Sequence, residues 1–273
     1  MSEPAQAGKT CDLRGIREAV CVHTGKITDS CLAKDCIEDL RVYLTVDSQH
    51  TLDCAASAKA RFVELLFVDV QVECVPYSSG YFTVDVTFYY RVIADATLSA
   101  GRTNTVTGLA VFSKRLVLFG GETCARIFSS KDDLTCLCKK SLQSVSLPRA
   151  IAETVDPIIL GSRVMEACGC CCQSETAPSI PEALLGCFDE PLVLTGECKR
   201  LLVTIGQFSI VRLERDTQLL IPTFDYCIPS KTCKNVGSSN TESPCEVFGQ
   251  IEFPMDAFFP SKADSCIPAK DSC

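Results

Sequence analysis

From Phe82 to Val92 the chain alternates without a break: Phe82, Val84, Val86, Phe88, Tyr90 and Val92 interleave with Thr83, Asp85, Thr87, Tyr89 and Arg91. A period of two puts the first set on one face of an extended chain and the second set on the other. The segment therefore predicts a half-buried antiparallel strand. Neighbouring stretches behave alike. Leu40, Val42, Leu44 and Val46 alternate with Arg41, Tyr43 and Thr45, and Val68, Val70, Val72 and Cys74 alternate with Asp69, Gln71 and Glu73. Residues 105–119 read as a further long strand. Tyr77-Ser78-Ser79-Gly80 and Ser99-Ala100-Gly101-Arg102-Thr103-Asn104 supply turns between them. Long sequential strands joined by short turns predict a mainly β chain, with an antiparallel β-sandwich-like core and irregular cysteine-rich arms, rather than βαβ units.

Around that core the pattern divides the chain into four segments. Residues 1–36 are polar and broken and read as a cysteine-bearing N-terminal arm, with a short helix predicted over Arg14 to Val22. Residues 37–165 form the β-rich core, in which Pro148 to Leu160 reads as partly helical and interrupted at Pro157. Residues 166–186 hold a cysteine cluster and a linker. Residues 187–273 form a second β-rich segment with a cysteine-rich tail, with strands expected at Leu192–Thr195 and Leu201–Leu213 and weaker ones at Leu219–Thr223 and Val247–Phe253. The tail repeats itself: Cys227-Ile228-Pro229-Ser230-Lys231-Thr232-Cys233 is echoed by Cys266-Ile267-Pro268-Ala269-Lys270-Asp271-Ser272-Cys273. Proline is disfavoured in central strands and helix interiors, so both copies predict exposed loops or arms.

Twenty cysteines occur in the 273 residues, while the hydrophobic share is 47%. A chain of this length buries a core without covalent staples, so the sulfur is surplus to folding. Three uses compete. Packing suits Cys74, on an apolar strand face, together with Cys54 and Cys198, because a free thiol behaves as a small hydrophobe. Metal binding or redox buffering would use pairs such as Cys168 and Cys171 or Cys136 and Cys138. However, no second pair of suitable spacing with histidine support lies nearby, and the adjacent Cys170, Cys171 and Cys172 do not easily close one tetrahedral site. Covalent cross-linking suits cysteines in arms, clusters and termini. On that reading the candidates are Cys11, Cys21, Cys31, Cys36, Cys136, Cys138, Cys168, Cys170, Cys171, Cys172, Cys227, Cys233, Cys266 and Cys273, with connectivity left open by the sequence.

Signals for catalysis are missing from the pattern. There is no phosphate-cradling Gly-rich loop, no His-Glu-x-x-His and no Gly-x-Ser-x-Gly elbow. Gly120-Gly121-Glu122-Thr123 reads as a turn. His23 and His50 are the only histidines and lie in polar stretches, and Asp132-Asp133 and Asp189-Glu190 read as solvated loops. The expectation is a protein that is not an enzyme and needs no cofactor or metal. A net charge of −8 argues against nucleic acid as a partner, and no run is long enough to span a bilayer.

Cys31-Leu32-Ala33-Lys34-Asp35-Cys36-Ile37-Glu38-Asp39-Leu40, the strand block 61–95 and Ile251-Glu252-Phe253-Pro254-Met255-Asp256-Ala257-Phe258-Phe259-Pro260 carry a resemblance over most of the chain. The chain resembles the cysteine-rich structural proteins of the clostridial spore surface, which form the exosporium basal layer or spore appendages. The resemblance implies a protein that assembles with itself into disulfide-linked sheets or fibres. Other spore-coat or exosporium proteins are further candidate partners. It also implies synthesis in the mother-cell cytoplasm without a signal peptide, followed by oxidation on the spore surface when that cell lyses.

Overall fold

The computed structural model describes residues 22–98, 101–122, 147–166, 178–219, 229–233 and 244–258. In chain order the elements are β1 (Val22–Leu44), α1 (Val46–Cys54), β2 (Ala55–Cys74), β3 (Tyr81–Leu98), β4 (Thr103–Phe119), β5 (Arg149–Thr154), β6 (Ile158–Glu166), α2 (Glu182–Leu185), β7 (Lys199–Leu219), β8 (Thr232–Cys233), α3 (Pro244–Gln250) and α4 (Met255–Phe258). The chain is mainly antiparallel β, as the alternation predicts.

One sheet runs in the order β2-β3-β4-β1-β7. On the far side of β7, β6 pairs with residues Lys199–Gly206 and β5 with Ser209–Glu214. The sheet then curls until β6 meets β2, where the Ala60 amide donates to Ser162 Oγ at 2.9 Å. The result is a nearly closed, barrel-like sheet. Its curvature has a local cause: register shifts interrupt β1 at Ile27/Asp29 and Ile37/Leu40, and β2 at Ala60/Phe62 and Leu65/Phe67. Such bulges bend a strand and increase its twist.

The interior belongs to the alternating residues. Val84, Val86, Phe88, Tyr90 and Val92 of β3 are buried, together with Leu116 and Leu118 of β4 and Val203, Ile205, Val211 and Leu213 of β7. Each such side chain contributes about 1.5–3 kcal/mol by leaving water. β3 departs from strict alternation at Tyr89, which is buried on the outer face. There the 178–192 segment lays Leu184 and Phe188 against Tyr89 and Leu109, and the Tyr89 hydroxyl donates to the Ser179 carbonyl at 3.2 Å.

Several expectations are corrected. Residues 22–36 are not part of an arm: they form the first half of β1, paired with β7 from Val22↔Leu219 through Cys36↔Gly206. Pro148 to Leu160 is not helical, because it contains β5 and the start of β6, with Val155-Asp156-Pro157 as the break. Val247–Phe253 is not a strand, since α3 covers Pro244–Gln250. Within Leu192–Thr195 only Leu192 pairs, in a single bridge to Thr45. Between β1 and β2 the chain forms α1, where no helix is expected. A polar bracket holds it: Ser48 Oγ accepts from the Thr107 amide at 3.0 Å, Gln49 Nε2 donates to the Lys199 carbonyl at 2.9 Å, and Asp53 Oδ1 accepts from the Lys199 amide at 3.1 Å. The predicted turn at Tyr77–Gly80 is present, with φ of 63° at Tyr77 and 78° at Gly80. The helix expected over Arg14–Val22 falls outside the described residues except at Val22, which begins β1.

Candidate functional site

The thiols divide by position. Cys36 of β1 is bonded to Cys245 of α3, with 5.5 Å between their Cα atoms, and Cys31, fully buried, is also disulfide-bonded. These two candidates therefore lie in the sheet, and Cys36 is spent within the chain. Cys54, Cys74, Cys187 and Cys198 are free and exposed. The packing expected of Cys54, Cys74 and Cys198 is thereby overturned. Each stands where a regular element stops: Cys54 ends α1, Cys74 ends β2 and Cys198 precedes β7, so none has a closed surface over it. Cys233 lies in β8, which pairs with β1 through Ala33↔Cys233. Cys11, Cys21, Cys136, Cys138, Cys168, Cys170, Cys171, Cys172, Cys227, Cys266 and Cys273 lie outside the described residues. His23 and His50 are exposed.

Cys245 has no signal in the period-two reading. Its helix announces itself instead through Pro244, a residue suited to a first turn, and through Phe248 and Ile251, three apart. α3 sits on the outer face of β7 where Gly206 leaves room. Phe248 packs on Phe208 with 4.7 Å between ring centroids. Lys34 Nζ lies 4.9 Å from the centre of the Phe248 ring and donates to the Gly249 and Ile251 carbonyls, both at 2.8 Å. Burial lowers the proton affinity of that amine.

One end of the barrel carries an aromatic cluster beside a thiol. Tyr81 and Phe119 face each other across β3 and β4 at 5.3 Å. Tyr77, Val117 and Phe119 are exposed. An adjoining groove of about 510 Å³ is lined by Cys74, Tyr77, Tyr81, Phe82 and Arg215, among others. Apolar surface of this kind, rimmed by polar groups, suits a protein partner.

Inside the barrel lies a sealed polar cluster that sequence reasoning missed. Lys114 Nζ of β4 donates to Asp35 Oδ2 of β1 at 2.5 Å and to Ser209 Oγ of β7 at 3.0 Å. The two charged side chains are only 5% and 2% exposed, so the pair is almost wholly withdrawn from solvent. The Phe88 ring lies 5.3 Å from the ammonium. Burial lowers the proton affinity of Lys114, and Asp35 opposes that effect. The Tyr90 hydroxyl is buried with no hydrogen-bond partner. Burial, and then the Asp35 charge, hold its ionisation far above the ordinary tyrosine range. Gln207, opposite Asp35 in the β1–β7 ladder, donates through Nε2 to the Val155 and Phe208 carbonyls. The signal available was the alternation Cys31, Ala33, Asp35, Ile37, which places one carboxylate among inward-facing apolar residues.

The cluster bridges a split in the sheet. β1 and β4 share ladder pairs only over Val42–Leu44 and Gly108–Ala110, where Gly108 permits contact: a Cβ there would lie 2.5 Å from the Tyr43 carbonyl oxygen. Elsewhere along the two strands side chains take over. Besides Asp35 and Lys114, Asp29 Oδ2 accepts from the Phe119 amide at 3.0 Å.

Among the described residues no group of three or more His, Cys, Asp or Glu side chains could hold a metal ion, and no helix is long and apolar enough to cross a membrane. Comparison of the chain with protein-family models, with curated proteins and with solved structures returned no match. Fold and sites together describe a barrel-like antiparallel β protein with one charged pair buried inside and free thiols exposed on its surface.

Proposed function

We propose that this chain is a self-assembling structural protein of the bacterial spore surface, with no catalytic role, whose copies associate through apolar barrel surfaces and are then locked by disulfides into a lattice or fibre. The observation that carries the reading is the placement of four free thiols, Cys54, Cys74, Cys187 and Cys198, on the exposed surface of a core that buries its apolar residues without them. Cys74 is the foremost candidate, because it borders the exposed Tyr77, Tyr81 and Phe119 surface. Contact there between two copies would raise the effective concentration of the thiols, so oxidation converts a reversible contact into a permanent one. A sheet or fibre requires this surface to meet a different face of the next copy, head to tail, because two identical patches in contact close into a dimer. The resemblance to cysteine-rich clostridial spore-surface proteins supplies the setting.

Electron microscopy of the full-length chain expressed alone and oxidised tests the reading. Ordered sheets, tubes or fibres are expected. Reductant together with denaturant should release monomers, whereas either one alone should leave most material assembled. A monomer that stays soluble after oxidation, or one that carries stoichiometric zinc or iron, overturns it.

A further inference from the structure

The geometry points to an intramolecular isopeptide bond between the Asp35 side-chain carbonyl and Lys114 Nζ, formed by the chain itself and closing the split between β1 and β4. The amine that would attack is hydrogen-bonded to the carboxyl that would be attacked, Lys114 Nζ to Asp35 Oδ2 at 2.5 Å, and both side chains are almost wholly buried. A permanent ion pair is a poor occupant of such a place, because desolvating an ammonium and a carboxylate costs several kcal/mol per ion. Moving one proton from Lys114 to Asp35 removes both charges from this buried place. Burial favours the uncharged Lys114 in the same direction.

From that neutral pair the reaction is a condensation. The Lys114 nitrogen lone pair attacks Asp35 Cγ and forms the N–C bond. The C–OH bond breaks, and the hydroxyl leaves with a proton from the nitrogen as one molecule of water. Ser209 Oγ, 3.0 Å from Nζ, is placed to take the nitrogen proton and return one to the departing hydroxyl. The buried Tyr90 hydroxyl makes no hydrogen bond of its own and feels the Asp35 charge, so it adds a polar group to the same interior. No oxidant, metal or co-reactant enters. Position gives the bond a purpose, since it would tie two adjacent strands where their backbone ladder is missing, and reductants would not break it.

The test is the intact mass of the full-length chain after denaturation, full reduction and alkylation of its cysteines. The expected mass is one water below that required by the sequence with its alkyl groups. Trypsin should then yield a branched peptide joining the peptides that contain Asp35 and Lys114. Asp35→Ala and Lys114→Arg should each restore the full mass. A wild-type chain of full mass, with trypsin cutting after Lys114 to give linear peptides, overturns the inference. So does a water deficit that persists in Asp35→Ala. The wild-type measurement needs no variant to fold and is made on separated chains, so it is independent of assembly.

Discussion

Gly206 shows how much one missing atom can decide. A Cβ at this position would lie 2.5 Å from Cε2 and 2.7 Å from Cδ2 of Phe248, inside any permissible contact. The ring is already held from its other sides by Phe208 and Lys34, so it cannot retreat without lifting α3. We expect Gly206→Ala to destabilise the protein by about 1–3 kcal/mol, the usual cost of forcing extra volume into a packed site. Urea unfolding followed by fluorescence or circular dichroism measures it. A change below about 0.5 kcal/mol would show that Phe248 does not rest on Gly206. The surface charges matter less. Arg163 donates to both carboxylate oxygens of Asp39 at 2.7 and 2.8 Å, and Arg115 to those of Asp85 at 2.6 and 2.7 Å. These hydrogen bonds hold both carboxyls below the ordinary aspartate range. A carboxyl that binds its proton more weakly when folded contributes stability above its unfolded pKa, near 3.9, and loses that contribution as pH falls through the lower, folded value. Thermal stability should therefore hold from neutrality to about pH 5 and decline only below about pH 4, and modestly, because exposed pairs are weak. A decline starting near pH 6 would contradict this assignment.

At the scale of elements, α3 tests whether a covalent tie or apolar packing holds the periphery to the sheet. The Cys36–Cys245 bridge joins residues separated by 209 positions, so its removal frees a long loop in the unfolded chain. Cys245→Ser should cost about 2–5 kcal/mol and should expose the Lys34 and Phe208 surface to hydrogen exchange. Unchanged exchange across β7 and an unchanged unfolding midpoint would assign the anchoring to Phe248 alone. α3 also marks where the sequence stops being legible. β3 and β4 are readable because each buries one face, and period two is visible without knowing the partner strands. β7 is readable as strand but not as the centre of the sheet. Its Phe208 and Ile210 are buried on one face and Val211 and Leu213 on the other, so alternation is lost. β5 and β6 are short and separated by Pro157, which invites a helical reading of residues that are extended only because β7 pairs with them. The Asp35–Lys114 pair spans 79 positions, and nothing local in a Lys34-Asp35-Cys36 string distinguishes a sealed carboxylate from a solvated one. The exposed thiols escape the sequence pattern for a related reason: Cys74 continues the apolar period of β2, but the strand ends there and no neighbour covers it.

For the molecule as a whole, the separation of spent from unspent sulfur is measurable. In native monomer kept unassembled and not treated with reductant, brief maleimide treatment followed by peptide mapping should label Cys54, Cys74, Cys187 and Cys198 and leave Cys31, Cys36 and Cys245 unlabelled. After assembly at least Cys74 should be protected until reductant is added. Full labelling of Cys74 in assembled material would remove it from the interface. The topology has a further consequence for how the chain comes into being. β2, β3 and β4 are successive and antiparallel, and each meets its neighbour across a short turn. β1 precedes them, yet its long partner is β7, with Val22 opposite Leu219. During synthesis the three-strand meander can therefore form early, with the end of β1 at Val42–Leu44 against β4, while the Val22–Ile37 part of β1, carrying Cys31 and Cys36, waits for β7 until most of the polypeptide has left the ribosome. Pairings this remote in sequence form slowly. A reducing interior during that wait keeps early thiols from bridging to the wrong partners, so a translation arrest before β7 should leave a species rich in mispaired sulfur if it is released into an oxidising medium.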